Sequence, residues 1–411
     1  MRKILITIPT LNSGGVEVSL VRFINELSRD KDNKITFINN AMIDEIVDVN
    51  IIKETTKYYE AEVIKYITKS NNRINVNCPY YNYCGGCNIL HMDYNNQIQY
   101  KKDKLKNIIN KFSSINLDIN VIKNKDVINY RNKIELKIQD YKWGYYNSKT
   151  HNFIEVTNCI LAKESINNVI ENKKYINIKS GSITIRCNYN DEILLNIKTD
   201  DKVNIDINNL KNNIKLVGIV INDKKYYGDN FFYEMINNKL FKVNYNSFFQ
   251  INNYITKEII NIINDNCYGR ILLDLYCGVG FLGQAISYKF DKIYGIELNK
   301  NSIIDAINNA KINNINNTYY MCGDSSKLIS NIKENIDTLI IDPPRSGLYK
   351  NMINDILKTN SNTIIYVSCN PITLGRDINL LKEKYSVNKI YLLDMFSNTY
   401  HFETICILKK S

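Results

Sequence analysis

Ile271-Leu272-Leu273-Asp274-Leu275-Tyr276-Cys277-Gly278-Val279-Gly280-Phe281-Leu282-Gly283 decides how this chain is read. An apolar run of strand length passes into a glycine turn and opens onto a helix, so backbone lies bare where a cofactor could approach. A second strand, Lys292-Ile293-Tyr294-Gly295-Ile296, ends in Glu297, where a carboxylate can accept hydrogen bonds from a ribose diol. A third, Thr318-Tyr319-Tyr320-Met321, ends near Asp324, and a fourth, Thr338-Leu339-Ile340-Ile341, runs into Asp342-Pro343-Pro344-Arg345. A fifth, Thr363-Ile364-Ile365-Tyr366-Val367, delivers Ser368-Cys369-Asn370-Pro371 to the same edge. Tyr391-Leu392-Leu393-Asp394 and Thr404-Ile405-Cys406-Ile407-Leu408 read as a closing antiparallel pair. Apolar strands alternating with helical stretches from residue 271 predict a doubly wound, mostly parallel sheet of seven strands, with its ligand at the carboxyl edge.

Working outward, 411 residues exceed one ordinary core and suit two or three domains. At 44% hydrophobic and 23% charged, the composition excludes collagen-like, coiled-coil and wholly disordered classes. No stretch approaches the roughly 18 uncharged apolar residues of a membrane helix. Met1-Arg2-Lys3-Ile4 reaches Pro9 too soon for a signal peptide, so a cytoplasmic protein with no membrane association is expected. Lys and Arg (53) outnumber Asp and Glu (42), a net charge of +11 that favours a polyanionic partner such as nucleic acid. The wealth of Asn, Ile, Lys and Tyr inflates that basic count, so charge alone places no RNA footprint. Nothing in the sequence asks for a protein partner or an oligomer.

Residues 1–30 read as a strand (Lys3–Ile8), a turn at Ser13-Gly14-Gly15 and a helical pattern through Val21, Phe23 and Leu27. Two glycines without the rest of a phosphate-loop spacing are a weak signal. Short alternating runs over 35–70 suggest a small N-terminal β-barrel, OB-like or TRAM-like, of the kind that grips RNA. The expected domains are therefore a barrel over 1–72, a central α+β domain over 73–245 and the sheet domain over 246–411. An amphipathic helix near 93–111 is a candidate to pack on the last of these.

Ten cysteines in a cytosolic chain favour buried, catalytic or metal-bound roles, and only His91, His151 and His401 are available as histidine ligands. Cys369 leaves a strand toward the pocket, with Asp342 and Arg345 on the neighbouring strand end; a thiolate stabilised by that Arg would be a competent nucleophile. Glu403, where the last strand begins, is a candidate general base beside it. Cys84-x-x-Cys87, with Cys78 six residues earlier, Gly85-Gly86 turning the loop and one remote ligand, suits a four-cysteine zinc site or an iron–sulfur cluster equally. The glycine loop lacks the full dinucleotide fingerprint, and an Asp-Pro-Pro loop after strand four is typical of methyltransferases, so S-adenosylmethionine is favoured over NAD as cofactor.

Gly278-Val279-Gly280, Asp342-Pro343-Pro344-Arg345-Ser346-Gly347, Ser368-Cys369-Asn370-Pro371 and His401-Phe402-Glu403-Thr404 together resemble the RNA uracil-C5 methyltransferases over about residues 35–411. The cysteine knot over residues 78–87, with Cys159, looks like that family's iron–sulfur branch, which modifies 23S ribosomal RNA. The resemblance implies a Rossmann-like class I methyltransferase domain that makes 5-methyluridine in 23S rRNA. It implies that Cys369 adds to uracil C6, that Glu403 removes the C5 proton and that Phe248 is an aromatic platform for the extruded base. By motif position Gln250, Tyr276, Glu297, Asp324 and Asp342 would line the cofactor and base pocket. Cys78, Cys84, Cys87 and Cys159 would hold a [4Fe-4S] cluster, with Cys187 as the fallback fourth ligand. Residues 1–30 depart from the family's glycine-rich basic opening and look more like the start of a sugar-nucleotide transferase. The competing readings are a tRNA uracil-C5 methyltransferase, an iron–sulfur redox or radical enzyme, and a catalytically silent RNA-binding assembly factor. The radical reading lacks the tight Cys-x3-Cys-x2-Cys spacing, and the Asp342, Cys369 and Glu403 set argues against the silent one.

Overall fold

The computed structural model describes residues 35–113, 118–147 and 150–411. β1 (Ile35–Asn39), β2 (Ile46–Glu54) and β3 (Tyr58–Thr68) form a sheet in the order β1-β3-β2, with β1 parallel and β2 antiparallel to β3. Ile38, Ala41 and Ala61 make its small core, while Ile46, Ile51, Ile64 and Ile67 remain on the surface. Of the barrel expected over 1–72, the described residues hold these three strands, and its first 34 residues lie outside them. The Ser13-Gly14-Gly15 turn and the atypical opening lie outside the described residues.

Helix α1 (Tyr94–Ser113) buries Ile98, Leu105, Ile108 and Ile109, which repeat at helical spacing, and β4 (Ile119–Ile122) follows it. The central region supplies β5 (Lys133–Gln139), β6 (Lys142–Tyr146), β7 (Phe153–Glu155), α2 (Glu164–Glu171), β8 (Ile176–Asn177), β9 (Ser180–Cys187), β10 (Ile193–Lys198), β11 (Asn204–Ile205), α3 (Ile207–Asn213), β12 (Leu216–Ile221) and β13 (Lys224–Gly228). Seven of these strands pair in the order β13-β12-β10-β9-β5-β6-β7 around a core holding Leu136, Trp143, Ile185 and Leu195. The hairpin β14 (Phe231–Ile236) and β15 (Lys239–Asn244) then leads into α4 (Asn253–Asn266). Its Phe232, Ile236, Phe241 and Val243 pack into the core of the following sheet domain, so packing carries that domain upstream of residue 246.

The apolar runs of the last region form β16 (Ile271–Leu275), α5 (Phe281–Ala285), β17 (Lys292–Glu297), α6 (Lys300–Ile312), β18 (Thr318–Cys322), α7 (Ser325–Leu328), β19 (Thr338–Ile341), α8 (Lys350–Thr359), β20 (Thr363–Ser368), α9 (Pro371–Leu381), β21 (Tyr385–Leu393) and β22 (Glu403–Lys410). The strand order is β18-β17-β16-β19-β20-β22-β21-β4, parallel from β18 to β20 and antiparallel at β22. The sheet has eight strands instead of the expected seven, because Ile119–Ile122 of β4 add in parallel to Ile390–Leu393. Helix α1 lies against α9 and anchors this edge through a fully buried Lys101–Asp394 ion pair. Lys101 Nζ also donates to the Phe396 carbonyl at 3.1 Å, and Asp394 Oδ2 accepts from Tyr94 Oη at 2.8 Å and Ser397 Oγ at 2.6 Å. Removing either charge would strand the other in the interior, a loss of roughly 3–5 kcal/mol. Among the described residues no helix is long and apolar enough to cross a membrane.

Candidate active site

The glycine turn after β16 is built for close approach. Gly280 adopts φ 77° at the start of α5, and a Cβ there would meet Tyr320 Oη at 2.5 Å and Gln284 Nε2 at 2.8 Å. Tyr276, at the strand's end, holds a left-handed φ of 62°, a strained conformation of the kind found at ligand sites. Glu297 closes the turn from the neighbouring strand: its carboxylate accepts from Gly278 N at 3.2 Å and Asn299 N at 2.8 Å. Asp324 caps α7 by accepting from Ser326 N and Oγ, which holds its carboxyl below the usual range. Asp274, fully buried within β16, accepts from Gly283 N at 3.1 Å through Oδ2, while Oδ1 has no partner. Burial, then Asp342 and Glu297, pushes its carboxyl up to about 8. A lone acid inside a run of leucines was the available signal for Asp274, and reading it only as strand interior missed it. A glycine turn without side chains, a carboxylate at the next strand end and an orphaned buried oxygen fit a cofactor that brings ribose hydroxyls and an amino group.

Across the sheet, β20 and β22 pair with Ser368 opposite Thr404, so Cys369 and Glu403 come off the two strands side by side. Asn370 caps α9 by accepting from Ile372 N at 3.1 Å, Pro371 opens the helix, and Asn370 Nδ2 donates to the Arg345 carbonyl at 3.0 Å. One residue thereby ties the cysteine loop to the Asp342-Pro343-Pro344-Arg345 loop. Burial pushes the Cys369 thiol up to about 11, with Glu403 and Asp342 adding to it and Arg345 opposing them. The expected stabilisation by Arg345 exists but is outweighed, because burial of the sulfur and the nearby Glu403 and Asp342 carboxyls act against an Arg that is itself exposed. Burial, then Asp342, holds the Glu403 carboxyl well above the ordinary range, and burial raises Asp342 to about 7.

The cleft over Cys369 is walled by Arg345 and Asn370 on one side and by Lys104, Tyr400, His401 and Phe402 on the other. Tyr400 and His401 rings stand 4.2 Å apart, with Lys104 Nζ 5.1 Å from the Tyr400 ring. Burial, then Arg345 and Lys104, lowers His401 to about 4, so the ring is neutral at physiological pH. Lys104 arrives on α1, far away in sequence, and no local pattern announced it. Phe248 is 70% exposed beside buried Phe249. The central domain clamps its loop at both ends, Arg186 Nη1 donating to the Ser247 carbonyl at 2.8 Å and Asn132 Nδ2 to the Gln250 carbonyl at 3.1 Å.

Cys78, Cys84, Cys87 and Cys159 are all half-buried free thiols. Burial raises Cys84 and Cys87, Cys159 and Cys78 add to the rise in both, Cys84 adds to it in Cys87, and Arg131 opposes it in both. Cys187 is coupled to none of them and answers instead to Ser165 and Lys163. Among the described residues no group of three or more His, Cys, Asp or Glu side chains is spaced to hold a metal ion. Four cysteine sulfurs near an Arg are nonetheless a donor set whose chemistry suits a soft metal centre.

A family model described as tRNA (Uracil-5-)-methyltransferase matches residues 93–411. An uncharacterized RNA methyltransferase of Aquifex aeolicus is 33% identical over 404 residues, covering 92% of this chain and 94% of its own. Another uncharacterized RNA methyltransferase, from Clostridium tetani, is 30% identical over 427 residues, covering 92% of each. The solved Pyrococcus abyssi tRNA (uracil-54, C5)-methyltransferase, in complex with S-adenosyl-L-homocysteine, shares the fold with a TM-score of 0.73 at 23% identity, over 89% of this chain and 92% of that one.

Proposed function

The chain belongs to the tRNA (uracil-5-)-methyltransferase family, S-adenosylmethionine-dependent enzymes acting on RNA, and from that premise we propose that it forms 5-methyluridine in 23S rRNA. The observation that carries the reaction is the meeting of Cys369 and Glu403 at adjoining strand ends, under a cleft open beside Arg345. Cys369 gives up its proton to solvent in the open cleft, its thiolate Sγ adds to C6 of a uracil drawn out of its stack, and the C5–C6 π electrons move to give an enolate nucleophilic at C5. Bound S-adenosylmethionine supplies the electrophilic methyl group for C5. Glu403 then takes the C5 proton, and elimination frees Cys369. A carboxyl raised this far makes a base strong enough for a carbon acid, because its protonated form is stable in the buried site.

Glu297 and Tyr276 flank the cofactor turn, and Asp324 stands at the next strand end, although its carboxylate is engaged in capping α7. Gln250 and Asp342 would line the cofactor and base pocket, with Phe248 as the exposed aromatic platform for the extruded uridine. Cys78, Cys84, Cys87 and Cys159 would hold a [4Fe-4S] cluster that braces the RNA-facing loops, and this cysteine set supports rRNA as substrate. A tRNA substrate is the second reading, favoured by the name of the matching family and by the Pyrococcus abyssi neighbour.

Anaerobic incubation with S-adenosylmethionine and 5-fluorouridine-substituted fragments of 23S rRNA or tRNA tests this, since fluorine blocks loss of the C5 substituent. A denaturation-stable protein–RNA adduct on rRNA, absent in Cys369→Ala, is the expected result. An adduct on tRNA alone overturns the substrate, and no adduct on either overturns the covalent reaction.

A further inference from the structure

Asn398 lies in the loop between β21 and β22 that carries Tyr400, His401 and Phe402 to the cleft and ends at Glu403. It is buried, it adopts a left-handed φ of 66°, and all four of its polar groups are engaged. Its N–H donates to Gln97 Oε1 at 3.0 Å, and its Oδ1 accepts from Gln97 Nε2 at 2.9 Å. Its Nδ2 donates to the Val127 carbonyl at 2.6 Å. Its carbonyl accepts from Asn88 N at 3.1 Å and Ile89 N at 3.3 Å, the residues that directly follow Cys87. Gln97, itself buried, is fixed from behind by donating to the Met92 carbonyl at 2.9 Å. No bond of Asn398 to its own strands supplies this framework; its partners come from the cysteine loop, α1 and the segment before β5.

We propose that Asn398 is a positioning residue: it latches the wall of the Cys369 cleft to the cysteine loop, so that disturbing the loop alters access to Cys369 through the two backbone hydrogen bonds that Asn88 and Ile89 donate to the Asn398 carbonyl. The reasoning is geometric. Only Thr399 and Tyr400 separate the latch from His401, and the left-handed turn at Asn398 sets the direction in which that wall leaves it. Buried groups saturated by hydrogen bonds have one low-energy arrangement, whereas removal of the side chain frees Gln97 and Val127 to find others. The inference rests on the reading of Cys369 as the reacting thiol only for its effect on turnover; its structural part does not.

The test uses the full chain and two variants, Asn398→Gly, which keeps the left-handed backbone and drops the side-chain bonds, and Cys87→Ser, which perturbs the loop from the other end. Iodoacetamide labelling of Cys369 is followed by peptide mapping, with exposed Cys322 as internal standard, and melting curves select protein that is folded. Both variants are expected to change the Cys369 rate about fivefold or more relative to Cys322. In Asn398→Gly, kcat for methyl transfer should fall roughly tenfold with KM for RNA nearly unchanged, the signature of misplaced groups and not of lost binding. Asn398→Asp, which retains the acceptor for Gln97, should recover part of the loss. Unchanged Cys369 labelling in either folded variant overturns the latch. A parent protein that labels normally but forms no 5-methyluridine overturns the proposed function and leaves the latch to be judged by labelling alone.

Discussion

Cys369 and the thiols of the cysteine loop are desolvated alike, yet their surroundings prepare them for opposite uses. Around Cys369 the charged neighbours are Glu403, Asp342 and Arg345, groups that give and take protons or pair with a phosphate. Around Cys84 and Cys87 the neighbours are other sulfurs and Arg131. Burial and the neighbouring sulfurs make the Cys84 and Cys87 thiolates hard to form, so these two ionise readily only when a cation arrives to share them. The single thiol answers to a substrate. Burial sets how far a thiol is raised, and the company it keeps sets what can bring it down.

The sharpest break in that comparison is Cys369→Ala, which should reduce 5-methyluridine formation at least about 10⁴-fold while leaving any iron–sulfur absorbance of the loop intact. Tritium release from RNA carrying [5-³H]uracil reads the first, and visible spectroscopy of anaerobic protein the second. Glu403→Gln should slow turnover by roughly 10²–10³-fold and, unlike Cys369→Ala, allow a covalent RNA complex to accumulate on denaturing gels. On the proposal that the four cysteines hold a [4Fe-4S] cluster, Cys84→Ser should abolish its visible absorbance and lower the melting temperature by several degrees, because a ligand bound only by the folded state would be lost. The smallest effect belongs to Arg345→Gln. Alkylation of Cys369 should climb about tenfold per pH unit toward pH 11, since below its pKa the thiolate fraction rises with pH. Removing the guanidinium raises that pKa further, so labelling at pH 8 should slow a few-fold; faster labelling would contradict the assigned direction.

Much of the sheet was legible because each parallel strand is a continuous apolar run ending in a chemically distinctive loop. Ile271–Leu275 before the glycine turn, and Thr363–Ser368 before Cys369, announce both their burial and their direction. Four-residue β4 carries no such signal: Ile119-Asn120-Val121-Ile122 becomes a sheet edge only because β21 offers unpaired backbone beside it. The N-terminal alternation was real but did not say whether its strands would close. At the site, motif spacing brought out Cys369, Glu403, Glu297 and Asp342. It could not reveal Lys104, whose place over Tyr400 depends on the docking of α1, or Asn398, whose partners come from three distant segments. Nor could it weigh Arg345 against two carboxyls, a balance that depends on distance and burial.

The docked edge bears on how the chain comes to fold. Asn120 bonds across 270 positions to Ile390, and Gln97 across 301 to Asn398. During synthesis α1 and β4 emerge long before the strand and loop they need, and closing so large a loop is entropically slow. The later-made β21 and β22 therefore complete both the Cys369–Glu403 juxtaposition and the edge that braces it. Until then the nascent chain holds an exposed apolar helix, a natural client for a chaperone, and a chain truncated before β21 would lose its edge and its activity together.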